Sequence, residues 1–350
     1  MYSIIPDLCK KYNVDILMFN QMSNKTPFYG DIDPRPFFYE WCHNIGANVI
    51  QGAGNDEVLK NYNDISIFKQ INVKKYNMVL IDDNFVKGAW GTPIFCREAR
   101  KNGVIVVASP HGNHEFDKYH VDDKLGDIFD YSFVLGEKER NHLVKNNKKK
   151  FLISGGIPSN DILKGYKVSG KNILVVVSYV EKFNSKKENK NGYLPFTEQT
   201  FLDSDILNIQ KKYNLKIIIK EKSRFKKGLD FSLKHLEKYK GVSVIMDHFD
   251  NNQLISEAAL LISAPSTLCF KAIQMGIPTI LLKNYGMIGN FYDYDGLFEI
   301  GRDDMEDMVK KMINKGKDIK FIEDTIAGGT HFCSTNLYLN SINKIIEGIF

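Results

Sequence analysis

The chain has 350 residues, too many for one ordinary hydrophobic core, so two domains are expected. Its 43% hydrophobic and 25% charged residues are typical of a soluble globular protein, and no apolar run is long enough to span a bilayer. No signal peptide opens the sequence, and the five cysteines include no Cys-x-x-Cys pair, so we expect reduced thiols and a cytoplasmic protein.

Predicted strands and helices alternate along the chain, after an amphipathic helix at 1–13. The predicted strands of the first half are 14–19, 47–51, 78–82, 104–109, 131–135 and 151–154, with intervening helices that include 35–45 and 93–102. The second half is predicted to hold strands at 172–178, 216–220, 243–247, 260–263 and 279–282, and helices at 197–211, 232–239, 252–258 and 267–275. A last helix is predicted at 341–350.

This alternation predicts an α/β fold of two doubly wound, Rossmann-like parallel-sheet domains that face a cleft. We assign 1–168 to an acceptor-side domain, 169–335 to a donor nucleotide-binding domain, and 336–350 to a helix that packs back on the first domain. The joint falls near 165–171, a polar stretch with two glycines. Ligands of such folds bind at the carboxyl ends of the strands, so the loops there are expected to carry the chemistry.

In the first half, the segment VIVVASPHG (104–112) is a buried apolar strand that ends abruptly at Ser-Pro-His-Gly. It places His111 at a carboxyl strand end, where a histidine can act as a general base near neutral pH. A partly buried histidine that bonds its own turn is the structural alternative. Further acceptor-side candidates are Gly112, Glu115, Asp83 and Asn84, although Asp83 and Asn84 are also suited to capping the next turn.

In the second half, three loops at strand ends carry candidate donor-binding residues, which are Ser178, Lys220, Lys222, Arg224, Ser263, Ser266 and Thr267. Small hydroxyl residues at a helix start offer backbone N–H groups and the positive end of the helix dipole to a phosphate. Ser266 could equally be a simple N-cap, and the two roles are compatible. Basic runs at 145–150, 182–190 and 220–227 are typical of solvated loops and also of proteins that handle phosphates.

The segment 254–282 resembles the donor-binding region of GT-B transferases, with a strand, a Ser/Thr-rich turn, a helix, a Gly-x-Pro and another strand. The chain most resembles the CDP-glycerol glycerophosphotransferase family of teichoic-acid synthesis and the related capsule polysaccharide transferases. The resemblance rests also on His111-Gly112, on GIPSNDIL at 156–163, which matches G-x-P-x-N-D-x-L, and on Gly-Gly-Thr at 328–330. UDP-N-acetylglucosamine 2-epimerases share the architecture and resemble the chain more weakly.

The resemblance implies a GT-B glycosyltransferase or glycerophosphotransferase that needs neither metal nor cofactor. It would transfer a glycosyl or polyol-phosphate group from a nucleotide-activated donor to an acceptor hydroxyl of a surface polymer, with His111 as the base. The chain departs from the pattern twice. Lys220-Glu221-Lys222-Ser223 replaces a Lys-x-His-Pro turn, and Lys271 replaces a glutamate that holds the ribose in many nucleotide-sugar transferases.

Other function classes stay open. They are a nucleotide-sugar 2-epimerase or hydrolase, a phage-type glycosyltransferase that acts on modified DNA bases, and a binding protein with a degenerate cleft. DNA is the less favoured partner, and peripheral contact with a membrane is left open. A metal site at His111, His114 and His120 with Glu115 and Asp117 fits no compact zinc pattern.

Overall fold

The computed structural model describes residues 2–18, 35–51, 71–82, 92–109, 128–146, 152–177, 196–221, 233–246, 250–285 and 291–350. Every strand pair in this part of the chain is parallel. Helices lie between most of the consecutive strands, which confirms the predicted α/β class. Among the same residues, no helix is both long and apolar enough to cross a membrane.

The described strands form three sheets. Their bounds are β1 Asp15–Met18, β2 Asn48–Gln51, β3 Met78–Asp82, β4 Ile105–Ser109, β5 Tyr131–Val134, β6 Leu152–Ser154, β7 Asn172–Val177, β8 Lys216–Glu221, β9 Val242–Met246, β10 Ala258–Ser263, β11 Thr279–Leu282 and β12 Leu297–Phe298. The first-half sheets have the orders β1-β2 and β3-β4-β5-β6, and the second-half sheet has the order β12-β11-β10-β7-β8-β9.

The α-helices of the described residues vary from five to thirteen residues in length. Their bounds are α1 Ile5–Cys9, α2 Arg35–Asn44, α3 Thr92–Lys101, α4 Glu137–Asn146, α5 Glu198–Asp203, α6 Ile206–Tyr213, α7 Asn251–Ser256, α8 Thr267–Met275, α9 Met305–Lys315, α10 Ile319–Thr325 and α11 Ser334–Ile346. Short 3-10 segments include Tyr2–Ile4, Pro158–Gly165 and Leu233–Lys238.

Several predicted elements differ from the observed ones. The single helix predicted at 197–211 is two helices, α5 and α6, because Asp205 between them takes a left-handed conformation with φ of 55°. The segment predicted as helix at 232–239 is a 3-10 turn, and the amphipathic start is a 3-10 turn followed by the short α1. Helices α4, α9 and α10 were not predicted, and α11 begins at Ser334 rather than at 341.

Buried apolar residues form separate clusters. The largest surrounds the six-stranded sheet and includes Val175, Ile219, Leu261 and Phe270. A second packs α3 against β4. In a third, the last helix packs with α1 and with β4, β5 and β6 of the first half through its residues Tyr338, Ile342 and Ile345. The division of the chain at residue 168 stays a prediction.

Candidate functional site

The strand order of the six-stranded sheet is that of a known class of ligand-binding sheets. From the central β7, the chain continues outward through β8 and β9, then returns to the other side of β7 for β10, β11 and β12. This is the order 3-2-1-4-5-6 of doubly wound nucleotide-binding sheets, whose ligands bind beyond the carboxyl ends of the strands where the direction of winding reverses. Here that position lies between β7 and β10.

Three residues form a row across the carboxyl edge at this position. Ser263 of β10 is in register with Val176 of β7, and Val176 is in register with Lys220 of β8. Neighbouring strands lie about 4.8 Å apart, so the backbones of Ser263 and Lys220 are separated by roughly 10 Å. Both side chains are buried, Ser263 completely and Lys220 to within 7% exposure. The predicted donor residues Ser263 and Lys220 are therefore brought to one edge.

The hydroxyl of Ser263 is engaged with the backbone. Its Oγ lies 3.2 Å from the carbonyl oxygen of Val176 and 2.5 Å from that of Ala264, and it donates toward both. A hydroxyl has one proton, so Ser263 joins β10 to β7 and shapes the turn that follows. Its role as a phosphate ligand stays a prediction.

Ser266 is the N-cap of α8 by position but not by side-chain bonding. Its backbone is extended, with φ of −154° and ψ of 169°, and its side chain makes no capping bond to the first turn. Its Oγ lies 3.5 Å from the sulfur of Cys269 instead. Within the described ranges, the N–H groups of Thr267 and Leu268 have no hydrogen-bond acceptor. The start of α8 thus keeps the donors and the positive dipole end that an anion would use.

The starts of four other helices are capped by side chains. Thr197, Asp250, Asp304 and Asp318 each accept a hydrogen bond from a backbone N–H in the first turn of α5, α7, α9 and α10, respectively. A serine at the start of a helix normally does the same. The structural alternative for Ser266, an ordinary side-chain cap, is therefore not what the structure shows.

Lys271 lies one turn further along α8, on the face that also carries Thr267. Its Nζ donates a hydrogen bond of 2.7 Å to Oδ1 of Asn252, at the start of α7. Burial lowers the pKa of Lys271, and the nearby carboxylate of Asp250 opposes this shift. Because an ammonium group only donates, Lys271 cannot accept hydrogen bonds from ribose hydroxyls.

In the sheet β3-β4-β5-β6, called the first-half sheet below, the structure describes the last residues of the strands but not the segments that follow β3 and β4. Asp82, the last residue of β3, is in register with Ser109, the last residue of β4. Eight predicted site residues lie outside the described residues, namely His111, Gly112, Asp83, Asn84, Glu115, Ser178, Lys222 and Arg224. His114, Asp117 and His120 of the metal alternative lie outside them too. In the described part of the chain, no group of three or more His, Cys, Asp or Glu side chains is placed to hold a metal ion.

The carboxyl ends of β5 and β6 are covered by the segment 325–338, which ends in the first residues of the last helix. The N–H of Ala327 donates to the carbonyl oxygen of Leu135, just after β5, at 2.7 Å. A Cβ on Gly155, just after β6, would lie 2.4 Å from the Tyr338 ring. Among the described residues, this part of the edge is therefore filled by protein.

The element at 156–163 connects this covering segment to the rest of the chain. The carboxylate of Asp161 accepts the N–H groups of Ser334 and Thr335 at 3.0 and 2.6 Å, which caps α11. The hydroxyl of Ser334 accepts the N–H of Ile157 at 3.1 Å and donates to Ala327 at 2.9 Å. The N–H of Ile157 and the carboxylate of Asp161 are therefore occupied by hydrogen bonds to the covering segment.

A buried amide pair continues this connection to α8. The Nδ2 of Asn160 donates to Oε1 of Gln274 at 2.6 Å, and the Nε2 of Gln274 donates to the carbonyl oxygen of Gly329 at 3.1 Å. Both amides are 1% exposed. Three of the segments that carry the family resemblance, namely 156–163, α8 and 328–330, therefore form one hydrogen-bonded unit.

Comparisons with known proteins agree on the fold and leave the family open. No family model matches the chain. The uncharacterized protein MJ1062 of Methanocaldococcus jannaschii is 24% identical over 257 residues, which are 71% of this chain and 47% of that protein. The chain thus spans about half the length of the curated relative it matches.

Two solved structures of GT-B enzymes are similar over nearly the whole chain, and a third is similar over a smaller part of it. UDP-GlcNAc 2-epimerase from Neisseria meningitidis, bound to UDP-GlcNAc, has a TM-score of 0.60 and 11% identity, with 98% of this chain and 95% of that chain covered. A glycosyltransferase from Rickettsia africae has a TM-score of 0.55 and 13% identity, with 99% and 93% covered. The wall teichoic acid polymerase TagF covers 71% of this chain and 69% of its own at 13% identity, and its TM-score of 0.44 is too low to support a family assignment. The fold is therefore of GT-B type.

Proposed function

We propose that this protein is a GT-B transferase that moves a glycosyl or polyol-phosphate group from a nucleotide-activated donor to an acceptor hydroxyl. The observation that carries the proposal is the start of α8. It lies where the sheet reverses its winding, its serine makes no side-chain cap, and its first N–H groups have no acceptor among the described residues.

The donor diphosphate would lie over Ser266 and Thr267, with Lys220 two strands away at the same edge. Lys222 and Arg224 follow Lys220 in sequence, and Ser178 follows β7. Departure of a nucleoside diphosphate or monophosphate leaves negative charge on phosphate oxygens. A helix dipole, backbone N–H groups and basic side chains can stabilise that charge without a metal ion.

The acceptor would approach from the edge formed by β3 and β4. His111 follows β4 by two residues and is the proposed general base, which takes the proton of the attacking hydroxyl. Gly112, Glu115, Asp83 and Asn84 are the proposed acceptor-side residues in the segments after these two strands. An acceptor of the surface-polymer class, such as a glycan or a polyol phosphate, fits the resemblance to the teichoic-acid and capsule families.

Titration calorimetry with UDP, CDP, UDP-GlcNAc and CDP-glycerol tests the donor site. We expect at least one of these ligands to bind, and Ser266→Ala/Thr267→Ala to weaken that binding. Product analysis then separates the reactions. Nucleotide release that requires an added acceptor supports the transferase, whereas epimerisation or hydrolysis of UDP-GlcNAc without an acceptor supports the alternative class. Failure of all four nucleotides to bind the wild-type chain would contradict the proposal.

His111→Ala tests the acceptor half. General-base catalysis contributes roughly 10²–10⁴-fold to a rate, so turnover should fall by that order while donor affinity stays unchanged. The wild-type rate should rise with pH through a histidine-like pKa, and this rise should be absent from the variant. His43→Ala, which removes an exposed histidine at the end of α2, is the control and should keep full turnover. Near-full turnover of His111→Ala would show that another base acts.

A further inference from the structure

A buried polar contact lies at the carboxyl end of β4. Ser109 is the last residue of the strand and is 1% exposed. Its Oγ lies 3.4 Å from Oη of Tyr338, a residue of α11 that is also 1% exposed. A hydroxyl buried in an apolar cluster costs free energy unless it has a hydrogen-bond partner, and this contact, at the long end of hydrogen-bond distance, offers one to both hydroxyls.

The fold makes specific room for the Tyr338 ring. The ring stacks on Phe133 of β5, with centroids 3.8 Å apart and planes 15° apart. Gly155, after β6, has no Cβ, and a Cβ there would lie 2.4 Å from one ring carbon of Tyr338 and 2.7 Å from one of Phe133. A phenylalanine would fill the same apolar space, so packing accounts for the ring but not for its hydroxyl.

The hydroxyl lies at the edge that the proposed acceptor chemistry uses. Ser109 is paired with Asp82 at the end of β3, and Pro110 and His111 follow Ser109 in the chain. Pro110 has no N–H, so the chain loses one backbone donor as it leaves β4. The contact between Ser109 and Tyr338 connects this strand end to α11.

We propose that Tyr338 is a positioning residue. Through Ser109, it fixes the carboxyl end of β4 and thereby the point from which the segment with His111 leaves the sheet. The inference rests on the proposed function, in which His111 is the general base. It gives the last helix a part in the acceptor chemistry in addition to its packing.

Tyr338→Phe tests this role, with Tyr294→Phe as the matched control. Tyr294 is 3% exposed and donates a hydrogen bond of 3.0 Å to the carbonyl oxygen of Thr279 in the six-stranded sheet, so each variant removes one buried hydroxyl. The readout is the pH titration of His111, followed by NMR in a chain with ¹³C-labelled histidines and assigned with His111→Ala. A second readout is the affinity for UDP by calorimetry.

We expect Tyr338→Phe to move the His111 midpoint by roughly 0.3–0.7 pH unit, which extends from about half to all of the shift equivalent to one hydrogen bond. UDP affinity should stay within twofold, since the donor site is on the other sheet. Tyr294→Phe should lower the melting temperature and leave the His111 curve unchanged. Ser109→Ala removes the other hydroxyl of the pair and should shift the midpoint as well, which keeps the test usable if one variant folds poorly.

The inference is overturned if the His111 titration curves of the wild type, Tyr338→Phe and Ser109→Ala coincide. An equal shift in Tyr294→Phe would also overturn it, because the effect would then be one of general destabilisation. If UDP and the other nucleotides fail to bind the wild-type chain, the proposed function fails while the contact between Tyr338 and β4 is still measured. The two failures are therefore distinguishable.

Discussion

The two larger sheets use their carboxyl edges differently. At the first-half sheet, the ends of β5 and β6 are covered by the segment 325–338, which is hydrogen-bonded to the chain it covers through Ala327 and Ser334. At the six-stranded sheet, the edge between β7 and β10 carries the start of α8, where Ser266 supplies no side-chain cap. Both edges contain small residues and serines after buried strands, and they differ in whether a later segment of the chain covers the strand ends.

The difference shows how to interpret small-residue motifs at strand ends. In GIPSNDIL, Gly156 and Asp161 contact the segment 325–338 and Asn160 bonds Gln274 of α8, so the motif lies at a tertiary junction. In SAPST, at 263–267, Ser263 bonds the backbone whereas Ser266 makes no capping bond. Residue types alone do not distinguish a structural junction from a candidate phosphate site. The distinction is whether the polar groups already have hydrogen-bond partners within the protein.

The largest expected effect is that of Gly156→Ala. Gly156 has φ of +76°, and a Cβ there would lie 2.1 Å from the carbonyl oxygen of Ala327 and 2.3 Å from Oγ of Ser334. Gly103 has almost the same φ, +77°, and nothing within 4 Å of its Cβ position. Gly103→Ala should cost about 1 kcal/mol for the left-handed backbone alone, and Gly156→Ala about 3 kcal/mol more because of the overlap.

Urea denaturation of both glycine variants measures this difference in the free energy of unfolding. If the two variants lose equal stability, the 325–338 segment shifts to accommodate the added methyl group, and the packing at this edge is less rigid than its contacts indicate. A Gly156→Ala chain that does not fold agrees with the expectation, provided that Gly103→Ala folds.

A smaller effect is expected from Asp161→Ala. This carboxylate caps α11 from 173 positions earlier in the chain, and its loss leaves two helix N–H groups unbonded. We expect a loss of about 2 kcal/mol and faster amide hydrogen exchange at Ser334 and Thr335. Asp304→Ala, which removes a local cap from α9, should cost about 1 kcal/mol and leave exchange at Ser334 unchanged. Unchanged exchange in Asp161→Ala would contradict this long-range cap.

Local patterns predicted most of the strands, because buried parallel strands are continuous apolar runs bounded by glycine, proline or polar residues. The start of α11 could not be predicted this way, since its capping carboxylate belongs to Asp161 rather than to a residue at 333 or 334. Asp205 likewise broke a helix that periodicity had predicted as continuous. Both misses come from conformations that neighbouring sequence does not dictate.

The candidate site, like the fold, could be predicted from the sequence only in part. The strand ends can be inferred from sequence, and the observed strand order places Ser263 and Lys220 at one edge. The Ser263 hydroxyl bonds to the backbone of β7 because of the register between β10 and β7, and that register depends on tertiary structure. Tyr338 and the Asn160–Gln274 pair were missed because their partners are more than 100 residues away in sequence.

The smallest effect on stability, and the most informative one for function, is expected from Ser266→Ala. Because this side chain makes no capping bond, its loss should change the free energy of unfolding by less than about 0.5 kcal/mol. Thr197→Ala is the matched control, since Thr197 caps α5 through a bond of 3.2 Å from the N–H of Thr200. It should cost about 1 kcal/mol and leave UDP affinity unchanged.

Ser266→Ala should instead leave the free energy of unfolding nearly unchanged and lower UDP affinity by about three- to tenfold, the equivalent of one lost hydrogen bond. Paired urea denaturation and calorimetry on the two variants measure both quantities. If Ser266→Ala destabilises the chain as much as Thr197→Ala and binds UDP as wild type does, the serine is an ordinary cap. The start of α8 would then resemble the fastened edge of the first-half sheet, and the contrast between the two edges would no longer support a donor site.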